Sequence, residues 1–432
     1  MASADTWKWG EWSLAESRGR LMTRSTEEVD TLVVGGGQAG LATSHELTRH
    51  GVEHVVLERG HIGQSWRDRW DSFCLVTPNW TVQLPDGAYD GSDPDGFMPR
   101  DEIVAFLERY AARSGVPIRE GVDVRSLETA QGGGFVARTS AGDVQARRVV
   151  VANGAYQRAH RPAGADTLPE DLLQIDLHGY HSPAALPLGR VLIVGSAQSG
   201  CQLAEELHEA GREVVLACGK APWTPRRTGG RDTVWWLVES GILDGTAASL
   251  PSPSARLGGN SIATGHGQPH DLHLRTLRAM GVTLVGHFLD ADEHGARFAP
   301  DLGETVAWGD EQYGKVRQVI RKTAAERGLP QPEMPNPEPF DGQAPELVPL
   351  DGFGAVIFAG GFRPDYRSWL PWPDAFDDLG FPIQADGAST VVDGLYFVGV
   401  PFLRKLKSPL LLGVGEDAAV VARTIAGGAT VG

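Results

Sequence analysis

The sequence predicts an α/β fold made of two Rossmann-like domains, with the second domain inserted into the first. Two stretches carry this prediction, because residues 31–58 and residues 191–217 both read as a strand, a glycine-rich turn, a helix and a second strand. Buried-strand patterns then resume after residue 350, which indicates a return to the first domain. The predicted segments are a flexible N-terminal arm (1–26), the first part of the outer domain (27–160), the inserted domain (161–334) and the second part of the outer domain (335–432).

Length and composition favour a multidomain cytoplasmic protein. At 432 residues the chain is long for one core, and its 41% hydrophobic and 22% charged content is typical of soluble globular proteins. A net charge of −16 argues against nucleic acid or an anionic membrane as partner, and no apolar run reaches the length of a membrane span. The first two dozen residues lack the apolar core of a signal peptide. Cys74, Cys201 and Cys218 form no C-x-x-C pair, which favours buried thiols over disulfides.

The first glycine-rich turn has the residue types that bind a dinucleotide. Gly35 allows the tight turn, Gly37 lets the backbone approach a diphosphate, and Gly40 lets the helix pack closely on the strand. The diphosphate would rest on the free N–H groups of the helix that opens near Gln38. Glu58 ends the second strand, where a carboxylate accepts hydrogen bonds from ribose hydroxyls. This spacing predicts a dinucleotide site.

The segment 61–79 follows, and it has neither strand nor helix periodicity. One interpretation is an ordinary crossover loop whose tryptophans belong to the core. The other is a loop that wraps the ring system of a bound cofactor, with Trp66 as a flat apolar wall and Gln64, Ser65 and Asn79 as polar contacts. The residues alone leave both interpretations open.

The rest of the first domain reads as one helix and several strands. An amphipathic helix is predicted over 101–114, and an antiparallel meander over 122–144. A buried strand over 148–152 ends in Asn153-Gly154, a small-residue turn that lets the backbone approach a ligand.

The second glycine-rich turn spans Gly195 to Gly200, with Ala197 in place of the middle glycine. The position equivalent to Glu58 is Cys218, which carries no charge. Basic residues follow it, namely Lys220, Arg226 and Arg227. An acid would repel a 2′-phosphate, whereas lysine and arginine attract one, so the second site is predicted to prefer NADP. The alternative is that these basic side chains form a solvated face.

Beyond residue 232 the patterns weaken and then recover. A helix is predicted over 233–240, an irregular loop over 251–270, and a proline-rich linker back to the first domain over 330–339. The histidines of this region lack metal-like spacing, so no metal site is expected. Strands are then predicted over 355–359 and 394–398, and a glycine turn leads into a C-terminal helix from residue 411.

Taken together, these motifs resemble the flavin-containing monooxygenase group, the class B flavoprotein monooxygenases, in a short bacterial form. The resemblance spans residues 27–428 and rests on the Gly35–Gly40 turn with Glu58, on Gly63-Gln64-Ser65-Trp66-Arg67, on the Gly195–Gly200 turn with Arg226 and Arg227, on the strand ends Ala152-Asn153-Gly154 and Ala359-Gly360-Gly361-Phe362, and on Gly413-Val414-Gly415-Glu416-Asp417. It implies FAD in the first domain and NADPH in the inserted one.

The resemblance also implies a mechanism. NADPH would reduce FAD, dioxygen would add to the reduced flavin, and the resulting flavin peroxide would transfer one oxygen atom to a nitrogen or sulfur or attack a ketone. The predicted catalytic residues are Asn79, Trp66 and Arg67. The further predicted cofactor contacts are Ala39, Arg59, Gln64, Ser65, Thr77, Val124, Ala152, Asn153, Gly154, Ser196, Gln198, Ser199, Gly361, Leu411 and Leu412.

The chain departs from this group in one pattern, F-x-G-x-x-x-H-x-x-x-[YF] before the second turn. Aligned on His178, its other fixed positions hold Leu172, Gln174 and Ser182. Two alternatives to a monooxygenase acting on a small organic substrate therefore stay open. One is an NADPH-dependent flavin reductase or oxidase without oxygen insertion, and the other is a non-catalytic flavin redox sensor. A homodimer is plausible on sequence grounds.

Overall fold

The computed structural model describes residues 27–154, 156–258, 261–267 and 270–428, so the predicted N-terminal arm (1–26) lies outside the described residues. The helices of the described ranges are α1 (Gln38–Arg49), α2 (Gln64–Arg67), α3 (Arg100–Ser114), α4 (Gln198–Glu209), α5 (Thr233–Glu239), α6 (Leu274–Met280), α7 (Leu302–Glu326) and α8 (Val414–Gly427).

The strands fall into two main sheets and several small ones. In chain order they are β1 (Glu27–Val34), β2 (His54–Leu57), β3 (Gln83–Leu84), β4 (Gly87–Ala88), β5 (Ile118–Arg119), β6 (Val124–Thr129), β7 (Phe135–Thr139), β8 (Gly142–Val151), β9 (Arg158–Ala159), β10 (Leu173–Asp176), β11 (Arg190–Val194), β12 (Val214–Ala217), β13 (Arg227–Thr228), β14 (Arg231–Asp232), β15 (Thr283–Val285), β16 (Phe288–Asp292), β17 (Gly295–Phe298), β18 (Leu347–Val348), β19 (Phe353–Phe358), β20 (Phe362–Arg363), β21 (Gln384–Ala385), β22 (Ala388–Ser389) and β23 (Leu395–Phe397).

The larger sheet has nine strands and contains the first glycine-rich unit. Strand β1 lies at its centre, parallel to β2 on one side and to β8 on the other. Strands β6 and β7 continue from β8 as an antiparallel meander, as the alternation of apolar residues predicts. Helices α1 and α8 pack together on this sheet's buried face, where Leu41, Leu47, Val414 and Ile425 are fully buried. The first predicted Rossmann-like domain is therefore confirmed.

The second sheet has five parallel strands in the order β10-β19-β11-β12-β15. Its central strand β11 is the buried run that precedes the second glycine-rich turn, and α4 is the helix that follows it. Parallel strands buried on both faces read as continuous apolar runs, which is the pattern of residues 191–194. The second predicted Rossmann-like domain is confirmed as well.

The predicted return to the first domain at residue 335 is wrong for β19. This strand pairs with β10 and β11, so it belongs to the second sheet, and the chain reaches the larger sheet again at β21. The error has a physical cause. Strands β8 and β19 both end in alanine beside a glycine-rich turn, so the same buried pattern fits either sheet and the sequence does not distinguish them.

The other local predictions hold with one exception. Helices α3, α5 and α8 form where the periodicity predicts them, and the described part of 251–270 contains a single short turn, Pro253–Leu257. The segment 61–79, expected to lack helix, contains the one-turn helix α2 because Gly63, at φ +71°, starts it from a left-handed conformation. Among the described helices, none combines the length and apolarity that crossing a membrane requires.

A two-stranded ribbon joins the two sheets. Strand β9 follows β8, β20 follows β19, and the two pair with Arg158 opposite Arg363 and Ala159 opposite Phe362. The carboxyl ends of β8 and β19 therefore lead into a common connection. In open α/β sheets, ligands bind at these carboxyl ends, so both candidate sites adjoin this junction.

Candidate dinucleotide sites and their junction

The first glycine-rich turn is shaped to let another molecule reach the start of α1. Gly35 has φ +113°, and a Cβ there would lie 2.6 Å from the carbonyl oxygen of Ala152. A Cβ at Gly40 would lie 1.8 Å from the carbonyl oxygen of Gly35, so only glycine permits this approach of helix and strand. A Cβ at Gly37, in contrast, would meet no atom within 4 Å. The turn is open at the position where a diphosphate is expected, and it fits that group.

Free backbone donors face this opening. The N–H of Leu41 donates the first helical hydrogen bond, to Gly37 at 3.0 Å, so the amides of Gln38, Ala39 and Gly40 precede the intrahelical pattern. These amides and the positive end of α1 attract an anion.

Glu58 lies beside the same turn at the end of β2. Its carboxylate is 7% exposed and accepts hydrogen bonds from the N–H of Gly36 at 2.6 Å and of Gly60 at 2.8 Å. The N–H of Val122 donates to the carbonyl of Glu58 at 2.9 Å, which brings the start of β6, and with it Val124, next to this acid. Arg59 is exposed on the other side of the strand end. The buried acid is therefore fixed beside the first turn.

Three separate segments meet over this turn through Gln38. The indole N–H of Trp66 donates to Oε1 of Gln38 at 2.7 Å, and Nε2 of Gln38 donates to the carbonyl of Pro409 at 2.9 Å. Pro409 precedes Leu411 and Leu412, which lead into α8. The structure thus brings the predicted loop residue Trp66 and the predicted C-terminal residues to the first glycine-rich turn.

Two of the predicted catalytic residues are bonded to other protein groups. Asn79 is buried, with Nδ2 donating to the carbonyl of Asp93 at 2.9 Å and Oδ1 accepting from the N–H of Met98 at 2.7 Å. Both ends of its amide hold a loop in place, and the catalytic role of Asn79 stays a prediction. Arg67 forms an ion pair with Glu108 on α3 at 2.5 Å and donates to the carbonyl of Ile62. Its catalytic role stays a prediction as well.

The remaining loop residues have local partners. Nε2 of Gln64 donates to Asp68 at 2.8 Å, Thr77 accepts from the hydroxyl of Thr81 at 2.9 Å, and Ser65 is exposed. At the end of β8, Gly154 has φ +86°, and its carbonyl accepts a hydrogen bond from Gln157 at 2.8 Å. The same Gln157 donates to the side chain of the exposed Asn153.

The second glycine-rich turn repeats the geometry of the first. Gly195 has φ +114°, and a Cβ there would lie 2.6 Å from the carbonyl oxygen of Ala359. A Cβ at Gly200 would lie 1.8 Å from the carbonyl oxygen of Gly195. Ala197 stands at the N-terminal end of α4. This turn also fits a diphosphate. It carries one methyl group more than the first turn, because Ala197 stands where the first turn has Gly37.

Side chains of this turn hold its surroundings. The hydroxyl of Ser196 donates to the carbonyl of Gly219 and accepts from its N–H, both at 3.0 Å. The amide of Gln198 pairs with both backbone groups of Ala263, which fastens the segment 261–267 over the start of α4. Ser199 follows in the first turn of the helix, and Gly361 lies just past the end of β19.

The basic residues after β12 divide into two kinds. Arg226 is 3% exposed and binds Oδ2 of Asp232 through two nitrogens, at 2.8 and 2.5 Å. It also donates to the carbonyl of Val76 at 2.8 Å and lies 4.3 Å over the ring of Phe97, so it joins the inserted domain to the outer one. Burial lowers the pKa of Arg226, and the charge of Asp232 opposes that shift. The contact of Arg226 with a 2′-phosphate stays a prediction, and in this structure its guanidinium is bound to protein groups.

Lys220 and Arg227 are exposed. Arg227 donates to the carbonyl of Gly230 at 2.6 Å within its own hairpin. Lys220 comes directly after Gly219, which Ser196 anchors to the second turn. Of the three predicted basic residues, Lys220 is the one that directly follows a residue anchored to the second turn.

A cluster of aromatic and basic side chains lies at the junction, and no sequence pattern had predicted it as a site. Its members are Arg69, Phe73, Tyr156, His178 and Phe362. The guanidinium carbon of Arg69 lies 5.2 Å from the ring centre of Tyr156 and 5.7 Å from that of Phe73. Phe362 lies 5.3 Å from Tyr156 and 4.7 Å from His178, centre to centre. Burial lowers the pKa of His178, and the positive charge of Arg69 lowers it further. The sequence does contain one indication of this cluster, because an aromatic residue follows the small-residue turn after β8 and also the one after β19.

The three cysteines are buried and free, as predicted. Burial raises the pKa of Cys74 to about 11 and that of Cys218 to about 12, and it raises the pKa of Cys201 as well. Thiols in this state are poor nucleophiles. No redox-active dithiol is built from them.

Comparison with known proteins places the chain among flavin-linked oxidoreductases. A family model described as "pyridine nucleotide-disulphide oxidoreductase" matches residues 32–237. The chain is 31% identical over 392 residues to the "uncharacterized oxidoreductase CzcO-like" of Geobacillus kaustophilus, covering 90% of this chain and 96% of that relative. It is 30% identical over 192 residues to the indole-3-pyruvate monooxygenase YUCCA1 of Oryza sativa, covering 44% of this chain and 47% of the relative.

The fold is shared with solved structures as well. The flavin-containing monooxygenase from Stenotrophomonas maltophilia matches with a TM-score of 0.66 at 19% identity, covering 94% of this chain and 100% of that one. This likeness concerns the fold. The full-length relationship to the CzcO-like oxidoreductase shows the family: the chain belongs to the flavin-containing monooxygenase-like oxidoreductases.

Proposed function

We propose that this chain is an FAD- and NADPH-dependent monooxygenase that transfers one oxygen atom from dioxygen to a small organic substrate. The observation that carries the proposal is the pair of glycine-rich turns at the carboxyl ends of parallel strands in two sheets, one turn with a buried acid beside it and one without. Two such turns serve a reaction in which one dinucleotide reduces another. The named monooxygenase activities of relatives support the choice of reaction.

FAD belongs in the first turn because that turn is covered by more of the chain. The amides of residues 38–40 would hold its diphosphate and Glu58 its ribose. The contact between Trp66 and Gln38, and that between Gln38 and Pro409, bring an indole and the segment before α8 to the same place. When bound, FAD supplies the electron transfer and the activation of dioxygen, and these residues position it and exclude water.

NADPH belongs in the second turn because nothing there repels its extra phosphate. The position that matches Glu58 is the buried Cys218, and the exposed Lys220 follows two residues later. A cation at this place favours a 2′-phosphate, and an acid would favour a ribose hydroxyl. The buried, unpaired thiols also fit a reducing compartment such as the cytoplasm.

A reductase or oxidase that inserts no oxygen is the second candidate. The observation in its favour is that Leu172, Gln174 and Ser182 occupy positions where the related monooxygenases have a fixed pattern. Within that class, a dithiol reductase is disfavoured, because the cysteines are buried and their pKa values are raised.

The test is a coupled oxygenation assay on the FAD-loaded protein. The protein is first reduced without oxygen by NADPH or by NADH, and then mixed with isotope-labelled dioxygen and one probe: thioanisole for sulfur, benzylamine for nitrogen or cyclohexanone for a carbonyl. We expect faster reduction by NADPH and one labelled oxygen atom in at least one product. If hydrogen peroxide accounts for all the NADPH consumed with every probe, the oxidase is correct instead. If neither nucleotide reduces the flavin, both enzyme hypotheses fail.

A further inference from the structure

The half-buried side chain of Arg69 lies at the junction with part of its hydrogen-bonding capacity unused. Its Nε is buried, and it makes no hydrogen bond with any described residue. No ion pair or hydrogen bond of its terminal nitrogens is found within the described ranges either. The neighbouring carboxylate, Asp68, accepts a hydrogen bond from Gln64 at 2.8 Å and lies outside ion-pair distance of Arg69. Burial lowers the pKa of Arg69, yet arginine keeps its charge in proteins.

An unpaired cation in such a place is costly unless something binds to it. Buried charges in folded proteins are paired or hydrogen-bonded, because desolvation without a partner is expensive. Arg69 has two aromatic rings, those of Tyr156 and Phe73, at 5.2 and 5.7 Å. Ring contacts of this kind stabilise the cation but leave its buried Nε–H without an acceptor, and no described protein group accepts from the terminal nitrogens. These donors suit a planar anion.

Several arginines lie around the junction, with the carboxylates Asp68 and Asp176 among them, although the chain as a whole is strongly negative. The charges of Arg69 and Arg59 both lower the pKa of the half-buried His178, after burial. In the adjoining ribbon, Arg158 stands directly opposite Arg363, a like-charge pair that costs stability. A chain of net charge −16 that gathers arginines at one junction provides a local field for anions.

The position of this cluster links it to both dinucleotide turns. Phe73 lies 5.9 Å from Trp66, centre to centre, and Trp66 is bonded to Gln38 at the first turn. Phe362, at the far side of the cluster, follows β19, whose end at Ala359 lines the second turn. A molecule held by Arg69 would therefore lie between the two cofactor sites.

We propose that Arg69 binds an anionic group between the two turns, with Tyr156, Phe73 and Phe362 covering the flat apolar part attached to that group. The anion is the carboxylate of an aromatic substrate or a phosphate of the nicotinamide nucleotide. The inference rests on the proposed function, because that function puts a substrate and a second nucleotide at this junction. The inference adds a class of ligand, an anion, and a residue that recognises it, Arg69, to the proposed function.

The experiment measures binding to the FAD-loaded protein by calorimetry, with benzoate, benzyl alcohol and NADP⁺ as probes. Wild type is compared with Arg69→Gln, with Arg69→Lys and with Arg109→Gln, which removes an exposed charge on α3. Loss of a charge-assisted, bidentate contact should weaken binding about tenfold to a hundredfold. We expect this loss for benzoate in Arg69→Gln and a smaller one in Arg69→Lys. Benzyl alcohol should bind all four proteins equally, and Arg109→Gln should match wild type.

The outcomes separate the two sources of the anion. Weaker benzoate binding with unchanged NADP⁺ binding indicates a substrate carboxylate, and the reverse indicates a nucleotide phosphate. If Arg69→Gln binds both anions as tightly as wild type, or if wild type binds no benzoate and the variant binds NADP⁺ normally, the proposal is wrong. Flavin content and the thermal unfolding midpoint of each variant show whether the fold is retained. Reduction of the wild-type flavin by NADPH tests the proposed function separately from these binding data.

Discussion

Replacing Arg226 by methionine separates a structural role of this arginine from a cofactor-binding one. In the structure, Arg226 and Asp232 form a buried ion pair, with side-chain exposures of 3% and 6%. Methionine keeps most of the side-chain volume and removes the charge. The carboxylate of Asp232 then stays buried with no cation, although its Oδ1 still accepts the N–H of Val234 at the start of α5.

The expected cost follows from this geometry. Breaking a buried ion pair by removing one partner costs about 3–5 kcal/mol, because the other charge is left uncompensated. The hydrogen bond from Arg226 to the carbonyl of Val76, which crosses between the domains, is lost as well. We therefore expect the free energy of unfolding, from urea titrations followed by circular dichroism, to fall by about 3–5 kcal/mol. Asp232→Asn in the same background removes the stranded charge and should recover part of this loss.

The same variant gives a decisive comparison for nucleotide binding. Since Arg226 is taken up by Asp232, the Kd of NADP⁺ should stay within about twofold of the wild-type value, well under the tenfold that corresponds to 1.4 kcal/mol. A loss of unfolding free energy below about 1 kcal/mol, the typical worth of one ordinary hydrogen bond, together with a large rise in the Kd of NADP⁺, would refute this reasoning. It would restore the phosphate-binding role that the sequence suggests.

Three further predictions concern the turns and one half-buried acid. Gly37→Ala should fold normally but lose FAD affinity, whereas Gly40→Ala should lose stability, because only a Cβ at residue 40 would meet backbone atoms. Flavin retention and the thermal unfolding midpoint distinguish the two variants. Lys220→Gln should reduce the ratio of kcat/KM for NADPH over NADH about tenfold, with unchanged stability. Burial raises the pKa of Glu206 above 4.5, so wild-type stability should fall as pH rises from 4.5 through that raised pKa. Glu206→Gln should remove this slope, and equal slopes in urea titrations would contradict the assignment.

The sequence predicts the two Rossmann-like units well because their signals are local. Each unit is a contiguous strand, turn and helix, and the glycines report steric constraints that the structure confirms at Gly35, Gly40, Gly195 and Gly200. Sheet membership of β19 could not be predicted in this way, since pairing between distant segments is not encoded in the local pattern.

The side-chain partners at the site could not be read from the sequence either. Asn79, Arg67 and Arg226 have the right chemistry for a cofactor site, and each lies in or beside a segment that approaches one. Each also has at least one partner far along the chain, at 14, 41 and 150 positions of separation, beside nearer partners such as Asp232 for Arg226. Residue type and neighbourhood therefore predicted the site region, and the direction of each side chain required the tertiary structure. Arg69 shows the converse case, a residue passed over in sequence whose lack of partners becomes visible only in the fold.

The difference between the two turns carries the assignment of the cofactors. Both turns have the same close contacts, at 2.6 and 1.8 Å, so steric fit does not distinguish them. The two units differ after the second strand of each. In the first unit, the buried Glu58 follows β2 and accepts a hydrogen bond from the first turn, whereas in the second unit Cys218 and Lys220 follow β12. If the acid sets the preference at the first turn, Glu58→Gln should weaken FAD binding and leave the Kd of NADP⁺ unchanged. Equal losses for both cofactors would mean that the two sites are not independent and that the junction around Arg69 couples them.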